Sequence, residues 1–185
     1  MKKFIIITFI ILIGIISCAK NNNQSEIYNY DKPSEIIENF SNEVITGSFA
    51  IRNIETGKNI RPYNANTSDE NKIILYPHNE WKCLTWQFNH IGGTTYYLQN
   101  LYTQKTFEPM STVETGVALW QKPLNNYSPQ WEFLDQQNSI YVIRLKNTEL
   151  YITISSNKND SSIILMPFQN SKSQQWELVE QYPIF

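Results

Sequence analysis

The side chains that could do acid–base, nucleophilic or metal chemistry are few in this sequence, and they are scattered. His78 and His90 are its only histidines, and no cluster of Cys, Asp or Glu shows metal-ligand spacing with them. Glycoside hydrolysis would need two placed carboxylates. Glu108, Glu132, Asp135 and Glu177 are candidates of a kind that any chain of this size carries. Glu132 and Glu177 each directly follow a tryptophan, which reads as an outward strand position. Cys83 adjoins the phrase LTWQF with no reactive constellation around it, so it reads as a small buried hydrophobe and not a nucleophile. Nothing resembles an activated site. No catalytic residue, metal or cofactor is expected.

The other chemistry open to such a chain is recognition. The simplest case is a small ligand with an apolar face and a polar rim. Proteins answer it with one aromatic face and a few amide or carboxylate groups. Which aromatic and amide side chains could converge depends on the elements that hold them, and those elements repeat.

SPQWEF at 128–133 and SQQWEL at 173–178 are near-copies, and LTWQF at 84–88 is a degraded third. Trp86, Trp131 and Trp176 are spaced by 45 and 45 residues. Upstream of each tryptophan lies a short apolar run, a proline and a polar stretch: IILYPHNEW, VALWQKPLNNYSP and IILMPFQNSKSQ. Each unit opens on an extended run, FAIRN, YYLQN or YVIRL, whose matching residues Ile51, Leu98 and Ile143 are spaced by 47 and 45. Three landmarks in one register mark an internal repeat. The runs are strand-like and are separated by Asn, Gly, Ser and Asp clusters, with ETGK at 55–58 as a hairpin turn. No long amphipathic helix period appears in this part of the chain. About four short strands per repeat are predicted. Propellers need more blades than three, and an open solenoid of three units would expose its edges. A closed threefold arrangement remains.

On these residues the chain resembles the ricin-type lectin family, whose repeats end in Gln-x-Trp. Gln174-Gln175-Trp176 fits that spacing, while Pro129 and Leu84 stand where the other two repeats would have their Gln. FAIRNIETGKNIRP at 49–62 is similar to the strand-turn-strand that opens a family repeat. The resemblance covers about residues 46–180 and implies an all-β chain, a β-trefoil of three repeats of about 45 residues with four short strands each. It also implies that each repeat can carry a sugar pocket, made of a carboxylate, an aromatic and an amide. Carried over by position, the carboxylate places fall on Arg61, Glu108 and Thr153 and the aromatic places on Tyr76, Trp120 and Met166. The amides are Asn79 in the first repeat, Asn125, Asn126 and Gln130 in the second, and Gln169, Asn170 and Gln174 in the third. Only the second repeat then has all three parts, so Glu108, Trp120, Asn125, Asn126 and Gln130 are the expected carbohydrate site. Arg61, Tyr76 and Asn79 form a modified second candidate. Trp86, Trp131 and Trp176 are expected in the core.

The chain begins MKKFIIITFIILIGIISC, a basic start followed by an apolar run of 13 residues from Phe4 to Ile16. A membrane-spanning helix needs roughly 20. The segment 1–17 therefore reads as an export signal. IISC resembles a bacterial lipobox, which implies cleavage before Cys18 and lipid on its thiol. Residues 18–44 read as the lipidated cysteine and a polar linker, with a helical turn or two over PSEIIENF, and 45–185 as the trefoil domain. Without Lys2 and Lys3 the 15 basic residues fall to 13 against 17 acidic ones, a net charge of −4 with no basic cluster. That disfavours nucleic acid and anionic lipid surfaces as partners.

The expected function is non-catalytic carbohydrate binding by a lipoprotein tethered to a bacterial membrane through Cys18, at the outer membrane or the cell surface. Two alternatives stand beside it. One is a delivery subunit that partners toxin subunits, in the layout of cytolethal distending toxins. The other is a protein-interaction trefoil with decayed sugar sites.

Overall fold

The computed structural model describes residues 43–183. The export signal, Cys18 and the helical turn expected over PSEIIENF lie outside the described residues. Twelve strands follow in order: β1 (Gly47–Asn53), β2 (Asn59–Pro62), β3 (Ile73–Tyr76), β4 (Thr85–Gly92), β5 (Thr95–Asn100), β6 (Lys105–Pro109), β7 (Leu119–Pro123), β8 (Trp131–Asp135), β9 (Ile140–Leu145), β10 (Leu150–Ile154), β11 (Ile163–Pro167) and β12 (Trp176–Glu180). Each repeat supplies four, as its alternating runs require. Among the described residues the helical elements are three 3-10 turns of three residues each, and no helix is long and apolar enough to cross a membrane.

Six strands close a barrel. β1 pairs with β12 and β4, β4 with β5, β5 with β8, β8 with β9, and β9 with β12, all antiparallel. Closure removes the edges that an open three-unit array would expose. The hairpins β2–β3, β6–β7 and β10–β11 pair within themselves. Single bridges Lys72–Trp120, Ile74–Ser162 and Ala118–Ile164 then join each hairpin to the other two. The result is a barrel with a three-hairpin cap, the β-trefoil.

The repeat landmarks meet inside it. Ile51, Leu98, Ile143, Trp86, Trp131 and Trp176 are all fully buried. Phe107 lies between two of the indoles, with ring centroids 5.0 Å from both Trp86 and Trp131. The indole N–H of Trp86 donates to the Ile60 carbonyl at 3.0 Å, and that of Trp176 to Ile152 at 3.1 Å. The corresponding acceptor in the second repeat would be Phe107, but the buried indole N–H of Trp131 has no partner among the described residues. Outside the barrel, each residue after a repeat tryptophan pairs with the one after a repeat aliphatic: Arg52 with Glu177, Gln87 with Gln99, Glu132 with Arg144. Two of these pairs are ion pairs, at 2.7 and 2.8 Å. They put Glu132 and Glu177 on the outward strand positions expected for them, and the hydrogen bond to the Glu132 carboxylate raises the Arg144 guanidinium pKa above its ordinary value.

Two buried asparagines join neighbouring repeats. The Asn53 amide donates to the carbonyls of Lys172 and Gln175, and its oxygen accepts from the backbone of Glu55 and Thr56. Asn100, two residues after Leu98 as Asn53 is two after Ile51, binds Cys83 and Thr85 on one side and Tyr102 and Thr103 on the other. Leu145 occupies that place in the third repeat, where a backbone bond from Lys146 to Gln130 makes the link.

Candidate functional site

The first repeat holds the larger of two cavities in the cap. It measures about 650 Å3 and is lined by Arg61, Asn64, Ala65, Trp81, Cys83 and Tyr102. β2 delivers Arg61. The turn after β2 delivers Asn64 and Ala65, both in the left-handed region at φ 52° and 51°. Non-glycine residues visit that region at a cost, so the loop is held there by its surroundings. Trp81 and Cys83 come from the turn before β4, and Tyr102 from the turn between β5 and β6. Asn100 fixes the last two walls relative to each other through its bonds to the Cys83 carbonyl at 2.9 Å and the Tyr102 amide at 3.1 Å.

Arg61 is 6 % exposed. Its Cζ lies 3.7 Å from the centroid of the Tyr76 ring, and Tyr76 in turn packs against Trp81 at 6.1 Å. The sequence-derived pair Arg61 and Tyr76 is thus brought together. Asn79 is not in the cavity wall; its amide reaches only toward the Pro77 carbonyl at 3.5 Å. Trp81 and Tyr102 take its place as cavity groups. Neither is a repeat landmark, so spacing did not single them out. Burial pushes the Cys83 thiol above its ordinary pKa of 9.0, against the opposing pull of Arg61, which fits the inert role read from sequence.

The second cavity measures about 440 Å3 and is lined by Tyr63, Glu70, Asn71, Lys72, Trp120 and Asp160. Trp120 is half-buried and directly opposite Glu108 across β6–β7. The other three expected members of that site are elsewhere. Asn125 accepts from the Tyr127 amide at 2.8 Å within its own loop, Asn126 is exposed, and Gln130 donates to the Tyr97 hydroxyl at 3.0 Å. The polar groups facing Trp120 come from the loop 63–72 of the first repeat and from Asp160 of the third.

That loop walls both cavities and is clamped by the second repeat. The buried Gln121 amide donates to the carbonyls of Asn66 and Ser68 at 3.1 and 2.7 Å. Lys105 pairs with Asp69, and Lys122 with Glu70 at 3.1 Å. The bond from Lys122 to Glu70 holds the ammonium above its ordinary 10.5.

Strand register corrects one equivalence drawn from sequence. Arg61, Glu108 and Thr153 sit opposite Ile74, Trp120 and Ile164. Trp120 is therefore level with Ile74 and Ile164, and the residue level with Tyr76 and Met166 is Lys122. The prolines Pro77, Pro123 and Pro167 keep this register.

In the third repeat, the Gln174 amide donates to the Thr153 hydroxyl and to the Pro167 carbonyl, both at 2.9 Å, and its oxygen accepts from the Gln169 backbone. The Gln of the Gln-x-Trp phrase is a buried tie. In the second repeat, where Pro129 displaces that Gln, the Ser128 hydroxyl accepts from the Asn125 backbone N–H at 2.9 Å and makes the matching contact. A smaller recess of about 160 Å3 lies by the β4–β5 and β8–β9 turns, near Glu43 and Asp135. Among the described residues no three His, Cys, Asp or Glu side chains converge to hold a metal.

Solved structures share this architecture. A designed threefold-symmetric protein, ThreeFoil, superposes with a TM-score of 0.69 at 20 % identity, over 72 % of this chain and 98 % of its own. The agglutinin of Rhizoctonia solani gives 0.68 at 13 % identity, over 75 % and 97 %. The ricin B-like lectin of Macrolepiota procera, solved with lactose, gives 0.65 at 19 % identity, over 75 % and 99 %. No curated protein sequence matches the chain. The fold is a β-trefoil, and residues 82–166 match the family described as ricin-type beta-trefoil lectin domain-like.

Proposed function

We propose that the chain binds carbohydrate and releases it unchanged, with the first-repeat cavity as its principal site and the Trp120 cavity as a second. One observation carries this reading: a cavity of about 650 Å3 with Trp81 and Tyr102 in its walls. Aromatic faces take the apolar side of a sugar ring, and the remaining polar groups take its rim. The resemblance of the repeats to a lectin family adds to it. Lipid on Cys18 would hold the domain at a bacterial membrane surface, facing outward. The test is a glycan array probed with the full chain in non-ionic detergent. Retention of a defined glycan set is expected, and a blank array contradicts the reading.

A second reading is a delivery subunit of a toxin assembly. It draws on exposed apolar side chains in two cap loops, Met110 and Val113 after β6 and Tyr127 after β7. Binding to a partner protein that free sugars do not compete would favour it.

A further inference from the structure

We propose that the first-repeat cavity selects an anionic group, the carboxylate or sulfate of an acidic saccharide, and that Arg61 is the residue that binds it. This rests on the carbohydrate reading above and names the class of sugar.

The starting point is an unbalanced charge. A guanidinium is ionised in any protein, and removing it from water is costly unless an anion and hydrogen-bond acceptors replace the water. Arg61 is 6 % exposed, and no carboxylate pairs with it among the described residues. Its buried Nε–H has no partner among the described residues. The one hydrogen-bond partner of the guanidinium among the described residues is the Cys83 sulfur, 3.9 Å from Nη1. That sulfur supplies no counter-charge, because burial keeps the thiol protonated through neutral pH. The Tyr76 ring compensates one face of the guanidinium. Apart from the Cys83 sulfur, the in-plane N–H groups meet no acceptor and no anion among the described residues. The chain as a whole is acidic, yet here it places a cation in a cavity and, among the described residues, sets no anion against it.

The surroundings fit a sugar bearing that partner. Trp81 and Tyr102 offer ring faces, and Asn64 offers an amide for a hydroxyl. A carboxylate or sulfate can take two parallel N–H bonds from a guanidinium, which adds direction to charge. The family resemblance puts a carboxylate, an acceptor of sugar hydroxyls, at this position. Arg61 reverses the sign, and with it the ligand that the cavity favours.

The experiment is calorimetric titration of the full chain in non-ionic detergent with matched probes: methyl glucuronide against methyl glucoside, and galactose 6-sulfate against galactose. Within each pair only the anion differs, so the two arms separate carboxylate from sulfate. The acidic member of at least one pair should bind about tenfold more tightly. Arg61→Met, which keeps an unbranched stem over Tyr76, should lose that preference without a fall in melting temperature, since it removes a buried unpaired charge. Equal affinity for acidic and neutral members overturns the inference and leaves carbohydrate binding intact. Arg61-dependent binding of inorganic sulfate with no binding of any saccharide keeps the anion site and overturns the carbohydrate reading. Binding of neither overturns both. Should Arg61→Met fail to fold, the wild-type ratio within each pair decides alone, a ratio near one being the contrary result.

Discussion

Arg61 and Tyr76 meet diagonally across the β2–β3 hairpin. The residue directly opposite Arg61 is Ile74, and Tyr76 is two positions further along β3, yet the guanidinium carbon lies 3.7 Å from the Tyr76 ring centroid. Diagonal neighbours of an antiparallel pair are within reach of long and aromatic side chains. In the second repeat the aromatic stands instead at the level of Ile74, with Trp120 directly opposite Glu108. The same hairpin thus presents a cation on an aromatic in one repeat and a carboxylate beside an indole in the next.

Asn100 should be among the most sensitive polar residues of the domain. Its fully buried side chain bonds to Cys83, Thr85, Tyr102 and Thr103. Asn100→Ala leaves buried partners unsatisfied, at about 1–3 kcal/mol for each such group before relaxation. A loss of about 2–4 kcal/mol by urea denaturation is expected, with weaker glycan binding because Cys83 and Tyr102 lose their tie. An unchanged denaturation midpoint would contradict it.

The three repeat tryptophans should not respond alike. Truncating a fully buried aromatic to Ala costs about 3–5 kcal/mol, so Trp176→Ala should come close to unfolding a domain of ordinary stability. Trp→Phe is more discriminating. At Trp86 and Trp176 it also removes a hydrogen bond to a strand carbonyl, whereas Trp131 has no such bond to lose. Trp131→Phe should be the mildest of the three, by about 1 kcal/mol. Chemical denaturation of the three variants side by side checks the order.

The repeat register, the strand count and the buried tryptophans were legible because they rest on periodic apolar burial, which sequence spacing records directly. The site was legible only in part. Arg61 and Tyr76 lie on one hairpin and could be paired by counting. Trp81 and Tyr102 reach the same cavity from turns in two different repeats, and no local pattern encodes that approach. Carry-over by position sets Trp120 level with Tyr76, but the hairpin loops differ in length, and the prolines mark the true level. Gln174 looked like a ligand amide. Its burial against Thr153 shows a structural tie, something only packing reveals.

Cys83 predicts an alkaline weakness. A thiol whose folded pKa is raised contributes stability that is fully present below its ordinary value of 9.0 and is lost as pH rises through the folded value. The wild type should therefore lose more stability than Cys83→Ala as pH rises above about 9. Denaturation curves of both proteins across that range test it, and parallel losses would mean that Cys83 does not titrate differently on folding.

Membrane attachment should depend on one residue outside the described fold. Cys18→Ala is expected to move the protein from the membrane fraction to the soluble fraction, since the apolar run before it is shorter than a membrane span. Persistence in membranes after a carbonate wash would contradict the lipid anchor.

The central claim is that glycan is held against Trp81 in the first-repeat cavity. The most direct measurement is the affinity of Trp81→Ala and Trp120→Ala for the best-retained glycan, with the melting temperature of each. Trp81→Ala should lose binding by more than tenfold while melting near the wild type, because Trp81 is only half-buried, and Trp120→Ala should lose less. Unchanged binding by a folded Trp81→Ala protein, with loss confined to Trp120→Ala, would move the principal site to the second cavity. Unchanged binding by both would contradict the account.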